Sequence, residues 1–330
     1  MKNQLSNTNR QALHACISAC AILVMLGFAS LAIGKYPLSL RALAAGNEMQ
    51  WRVFWNLRFS RTLLGLLGGM ILGVCGFVFQ TVFRNPLASP DVIGVASGAS
   101  TGAAAGILFF SGTAAVTACS FGGALIAVLM ALALCTLEKS GKNGAIVLAG
   151  IAVHALAQTA LMCLKLIADP EKELASIEYW MMGGLNDASL RSIPVNLALG
   201  IICVILLFLL HRQLILLSTD EGEARMLGVD VVRLRLLSLL LATLAVASVI
   251  CLTGLISFIG LLAPHLARMI TRDNRRGTML LSGLMGSCLL CGADILARSI
   301  AASELPVSIF TSILGAPFMI YLLFRGRKTI

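Results

Sequence analysis

Thr62–Val82 reads TLLGLLGGMILGVCGFVFQTV, 21 residues without one charged side chain. At a rise of about 1.5 Å per residue, such a helix just crosses a hydrocarbon core about 30 Å thick. The rest of the chain repeats the pattern. Of its 330 residues 58% are apolar and 12% charged, whereas soluble domains run at about 45–50% and about 25%. Further apolar runs lie at 15–33, 92–110, 114–136, 144–167, 192–210, 236–253, 255–270, 278–297 and 306–324. This predicts an all-α polytopic membrane protein, one transmembrane domain over 1–330 with about ten helices. The last runs are short and interrupted by Gly and Pro, so one or two are expected to be broken or tilted. The first exceeds a signal-peptide core of about 7–15 residues and lacks a clear small-x-small cleavage site, so it reads as a retained span.

Glycines recur within the spans. Gly65, Gly69 and Gly73 are spaced by four, with Gly68 and Gly76 beside them, and GVASGASTGAAAG at 94–106 repeats the theme. A bare helix face lets neighbours approach closely in lipid. Packing is the favoured reading, with the lining of a conduit as the alternative.

The net charge of +10 does not indicate nucleic-acid binding, because the basic residues sit in short clusters between apolar runs and form no stripe across a soluble domain. With ten crossings and both termini cytoplasmic, sixteen Lys and Arg fall inside and eight outside, with Lys165 left in a span. That is the expected bias. Trp51, Trp55 and Trp180 then flank spans on the outer side, and a short helix would put Trp51 and Trp55 on one face. The segment from Lys35 to Arg61 resists the bias, with five basic residues against Glu48. Either it is statistical noise, or it is an electropositive platform for an acidic partner outside the membrane.

The ten cysteines all fall in apolar stretches, including the lone Cys288-x-x-Cys291, and read as small packed hydrophobes. No metal or cofactor site is expected. His14, His154, His211 and His265 are isolated, so the H-E-x-x-H pairing around zinc is absent, and Gly94–Gly98 has the wrong spacing for G-x-S-x-G. No membrane-enzyme signature survives, so a non-enzymatic role is expected. The ionisable residues within spans are Lys165 and Asp294, and Asp294 lies four residues from Arg298, where the two could pair. A secondary carrier would want more buried acids. The chain also lacks G-x-x-x-x-G-K-[ST], so if ATP drives transport, another chain binds it.

Between the sixth and seventh runs, 218–235 reads STDEGEARMLGVDVVRLR. Thr219 or Asp220 suits an N-cap, Glu221 and Glu223 a first turn, and Gly228 a stop. That predicts a short amphipathic helix on which Ala224, Met226 and Leu227 would offer a small apolar surface. A partner-binding helix is favoured over a plain linker.

RNPLASPDVIGVASGA (Arg84–Ala99) resembles the loop after the second span in FecCD-family permeases, the membrane subunits of ABC importers for ferric siderophores, haem and cobalamin. LRFSRTLLGLLGG (Leu57–Gly69), EARMLGV (Glu223–Val229), FIGLLAPHLAR (Phe258–Arg268), ADILAR, ELP and LGAPFMIYLL follow in order. The resemblance covers essentially the whole chain. It implies a ten-span subunit of the cytoplasmic (inner) membrane, paired with a second permease subunit. Two P-loop ATPases using Mg-ATP would stand beneath it, and a substrate-binding protein would deliver an iron chelate from outside. Ferric siderophore leads, with haem or cobalamin behind.

By the same resemblance Arg58, Arg61 and Arg298 are docking arginines for acidic residues of the binding protein. Glu221, Glu223, Ala224, Arg225, Met226, Leu227 and Gly228 form the coupling helix. Arg84, Asn85, Pro86, Pro264, His265 and Arg268 support the cytoplasmic face. Phe59-Ser60 stands where the family usually has a proline between its arginines, which leaves the helix start less fixed, though the Arg58–Arg61 spacing is intact. Met162, Met181 and Met182 are candidates for the lining of the path, with core packing as the alternative.

Overall fold

The computed structural model describes residues 2–137, 143–186, 193–218, 224, 226–228, 230–300 and 304–326. Ten helices coincide with the ten apolar runs: α1 (Lys2–Ala32), α4 (Ser60–Val82), α5 (Val95–Phe109), α6 (Thr113–Leu137), α7 (Asn143–Ile167), α9 (Ile193–Leu209), α11 (Val231–Thr253), α12 (Ile259–Thr271), α13 (Arg276–Ser299) and α14 (Val307–Gly326). Four short α-helices with described bounds lie in the connections: α2 (Leu40–Ala44), α3 (Glu48–Val53), α8 (Glu173–Met182) and α10 (His211–Leu216). No strand occurs among the described residues. Among the described residues six helices are long and apolar enough to cross a membrane, three more are apolar but shorter, and α12 has only 13 residues.

Helix α4 is the axis of the fold: nineteen of its 23 residues are buried, against α9, α11, α12 and α13. Its glycine face settles the choice left open above in favour of packing. A Cβ on Gly69 would lie 2.5 Å from Gly286 O, one on Gly73 2.2 Å from Ser282 O, and one on Gly76 1.7 Å from Gly260 O. Side chains at these positions would push α12 and α13 away from α4. On α5, Gly98 and Gly102 meet Gly123 and Cys119 of α6 in the same way. By contrast, the flanks of α1, α7 and α9 display large apolar side chains, such as Phe28 and Leu166 at 71% and 86% exposure. An apolar exterior around a glycine-packed interior suits lipid as the surrounding solvent.

The expected interruption falls between α11 and α12. Gly254 and Phe258 both have φ of +67°, and the chain runs non-helically between them. Such backbone survives at membrane depth only where its polar groups are met. Gly184 N donates to Thr253 O at 2.7 Å and Ser308 Oγ to Leu255 O at 2.6 Å. A Cβ on Gly315 would sit 2.3 Å from the Phe258 ring, so the absence of a side chain there makes room for this left-handed phenylalanine.

Candidate functional site

Two clusters of polar residues lie at opposite ends of α4. The first is built where α1 ends and α4 begins. Trp51 and Trp55 stack with ring centroids 6.4 Å apart, as their spacing predicted. From Phe54 to Phe59 the backbone winds as a π-helix that runs directly into α4. Such wide turns are rare and concentrate at functional sites.

Arg58, Arg61 and Arg298 converge here, but not as displayed side chains. They are 3%, 6% and 4% exposed. This corrects the expectation of arginines standing on an outer platform. Lys35, Arg41 and Arg52 are the exposed cations of that segment, whereas Arg58 and Arg61 turn inward. For Arg61 and Arg298 the cause is a pair of acids. Asp294 Oδ1 accepts from Arg61 Nε at 2.6 Å, and its Oδ2 lies 3.0 Å from Arg298 Nη2. Arg61 Nη1 also donates to Glu304 Oε2 at 3.0 Å. Charges taken out of water need such pairing to persist. Arg298 Nη2 further donates to Ser30 Oγ at 2.5 Å.

Arg58 has no acid in the cluster. Its Nη2 donates to Tyr36 O at 2.7 Å, and its guanidinium lies over Gly34, where a Cβ would come within 1.9 Å of Nη1. The three arginines, Asn186 and Glu304 border a cavity of about 80 Å³. Arg58 Nη1, Arg61 Nη2, Arg298 Nε and Asn186 Oδ1 are buried without a hydrogen-bond partner among the described residues. Three unmet guanidinium nitrogens around space for two or three water-sized groups, at roughly 30 Å³ each, make a site complementary to a carboxylate. Beside it, and sharing Asn186, lies a cavity of about 1020 Å³ lined by Phe110, Thr113, Tyr179, Trp180, Gly254 and Pro306 among others. None of Met162, Met181 and Met182 borders it. Lys165, the cation left within a span, pairs with Glu178 at 2.8 Å.

The second cluster caps the other end of α4. Arg268 donates from Nε to Asn274 Oδ1 at 2.6 Å, from Nη1 to Gln80 Oε1, and from Nη2 to Thr81 Oγ1 at 3.3 Å. Its guanidinium also stands 4.8 Å from the Phe77 ring centroid. It thereby ties α12 and the α12–α13 turn to α4. Pro264 is buried within α12, and His265 meets Phe318 of α14 edge-on at 5.7 Å. Arg84, with φ of +49°, donates from Nε to Leu217 O at 2.9 Å, which links the α4–α5 loop to the start of the segment expected to couple. Asn85 turns that loop by accepting from Leu87 N at 2.9 Å, and Pro86 beside it is exposed.

Of the coupling residues, Thr219, Asp220, Glu221, Glu223 and Arg225 lie outside the described residues. Met226 and Leu227 are exposed, and Gly228 has the left-handed φ of +79° that suits a helix stop. Ala224 departs from the expectation: it is 1% exposed and belongs to the core, so the offered apolar surface is Met226 and Leu227.

Reading the sequence missed Gly34, Asn186 and Glu304. Only Glu304 left a signal, as an acid in the otherwise apolar ELP string close after Arg298.

Against known proteins, the model of the FecCD transport family matches residues 22–325. The hemin transport system permease protein HmuU of Yersinia pestis is 35% identical over 317 residues, 93% of this chain and 94% of that protein. A probable iron chelatin transport system permease protein of Helicobacter pylori is 34% identical over 322 residues, covering 95% and 97%. A solved metal-chelate type ABC transporter in an inward-facing conformation superposes with a TM-score of 0.83 at 31% identity, over 95% of this chain and 99% of that one.

Proposed function

The chain belongs to the FecCD transport family, and from that premise we propose how it works. It is a membrane permease of an ABC importer of the kind that carries iron chelates, haem or cobalamin. As a transport subunit it is not itself the ATPase. Within that class, our reading is that it carries a ferric siderophore across the cytoplasmic membrane as one half of a permease homodimer. Two ATPases stand beneath the dimer, and a binding protein docks above it. Relatives named for hemin and iron chelatin support an iron-bearing cargo.

One observation carries the docking reading: three buried guanidinium groups with unmet nitrogens border one small cavity. An acidic side chain of the binding protein enters it, while exposed Lys35, Arg41 and Arg52 steer the approach. The chelate then passes into the large neighbouring cavity, whose volume stands at the upper end of the range of about 300–1,000 Å³ for small-molecule sites. At the other end, Met226 and Leu227 insert into the ATPase, and the Arg84 and Arg268 ties pass its closure to α4 and α12. Alternating access follows from the relative movement of these helices.

The test is uptake into proteoliposomes that contain the chain, its ATPase and its binding protein, offered a ferric siderophore, hemin or cyanocobalamin. The reading expects ATP-dependent accumulation of the ferric siderophore. Accumulation of hemin or cyanocobalamin alone would reassign the cargo. Accumulation that continues without ATP would replace the importer with a secondary carrier.

A further inference from the structure

The two acids of the arginine cluster are not equivalent. Asp294 is 2% exposed at its side chain, with one oxygen engaged by Arg61 and the other by Arg298. It neutralises charge within the fold. Glu304 sits in the non-helical stretch before α14, its side chain is 34% exposed, and its carboxylate meets Arg61 Nη1 at 3.0 Å on the border of the small cavity. The adjacent Arg61 Nη2, Arg58 Nη1 and Arg298 Nε have no acceptor among the described residues.

We propose that Glu304 is an internal competitor for docking: in the undocked chain its carboxylate holds Arg61 Nη1 and partly neutralises the charge beside the three unmet nitrogens that an incoming carboxylate would engage. This rests on the docking reading above and names a residue that sets its affinity. With Glu304 seated, three cations face two anions. With Glu304 displaced, three cations face Asp294 alone, and the cavity attracts a partner's acid more strongly. The displacement also has a path onward. Two residues beyond Glu304, Pro306 borders the large cavity, and Val307 N donates to Gly183 O at 3.1 Å. A Cβ on Gly183 would lie 2.0 Å from Leu255 O, so α8, the α11–α12 break and the start of α14 are interlocked at that mouth. Glu304 leaving Arg61 therefore pulls on the segment that holds the mouth together.

The experiment is the affinity of the binding protein for the nanodisc-embedded permease–ATPase complex, measured for wild type, Glu304→Gln, Glu304→Asp and Arg61→Glu. A competitor predicts a Kd about two- to fivefold lower for Glu304→Gln, the scale of a partly exposed ion pair. Glu304→Asp, whose shorter side chain loosens the contact, should show a smaller tightening. If Glu304→Gln does not assemble, Glu304→Asp decides alone. Affinity unchanged or weakened in the assembled variants, while Arg61→Glu abolishes binding, would overturn the competitor and leave the docking reading standing. Binding untouched by Arg61→Glu would overturn both.

Discussion

Arg61 on α4 and Asp294 on α13 stand 233 residues apart in sequence and 2.6 Å apart in space. The same carboxylate takes Arg298 on its other oxygen at 3.0 Å, so one buried acid positions two cations at the mouth of the cavity. This makes Asp294 the keystone of the cluster. Replacing it by Asn leaves buried Arg298 without its acid and Arg61 with Glu304 alone, and breaking a buried pair costs roughly 3–5 kcal/mol. Thermal unfolding in detergent should show Asp294→Asn as the most destabilising single change among these residues, while Glu304→Gln, at a more exposed position, changes the midpoint little.

Gly34 matters for the position of Arg58. A side chain there would overlap the guanidinium, with the Cβ 1.9 Å from Nη1, while a Cβ on Gly27 meets nothing within 4 Å. Gly34→Val is expected to expel Arg58 from the cavity and to weaken binding-protein affinity at least about tenfold, the loss of a charge-assisted hydrogen bond. Gly27→Ala should leave affinity unchanged. A surface-binding assay on the assembled complex separates the two.

The α4–α12 crossing depends on Gly76. Its Cβ would fall 1.7 Å from a backbone oxygen of Gly260, an atom that moves only if a helix moves, while one on Gly292 meets nothing within 4 Å. Gly76→Ala should cost about 3 kcal/mol, the upper part of the range for overpacked cores, and lower the yield of monodisperse protein in size-exclusion chromatography. Gly292→Ala should behave as wild type.

Arg268 joins α12 to the end of α4 through a fork of donors and a ring contact. Lysine cannot reproduce that fork. Arg268→Lys should leave the complex able to hydrolyse ATP but lower the chelate transported per ATP several-fold. Equal ratios of transport to hydrolysis in variant and wild type would show that this tie does not carry the coupling.

Much of this architecture was legible in the residues. Apolar runs mark the ten helices that coincide with them, because lipid leaves no alternative to apolar helical segments. The glycine spacing on α4 marks its packing face, and the spacing of four in Trp51–Trp55 and Asp294–Arg298 marks pairs that a helix brings together. What could not be read are relationships made only by tertiary packing. Arg61 looks like an outward cation until α13 brings Asp294 against it. Glu304 lies beyond the end of α13, where no helical period fixes its direction. Ala224 reads as part of an amphipathic surface, yet the fold buries it. The π-helical turn before α4 has no signature in FWNLRF.

On the proposed function, this chain is driven by a separate ATPase and commanded by a binding protein through its buried arginines. The most direct measurement is ATP hydrolysis by the chain reconstituted with its ATPase in liposomes, with and without binding protein, for wild type and Arg58→Glu. Binding protein should stimulate hydrolysis in wild type and fail to do so in Arg58→Glu. Stimulation of equal size in both, or failure of the wild-type chain to assemble with the ATPase, would contradict that reading.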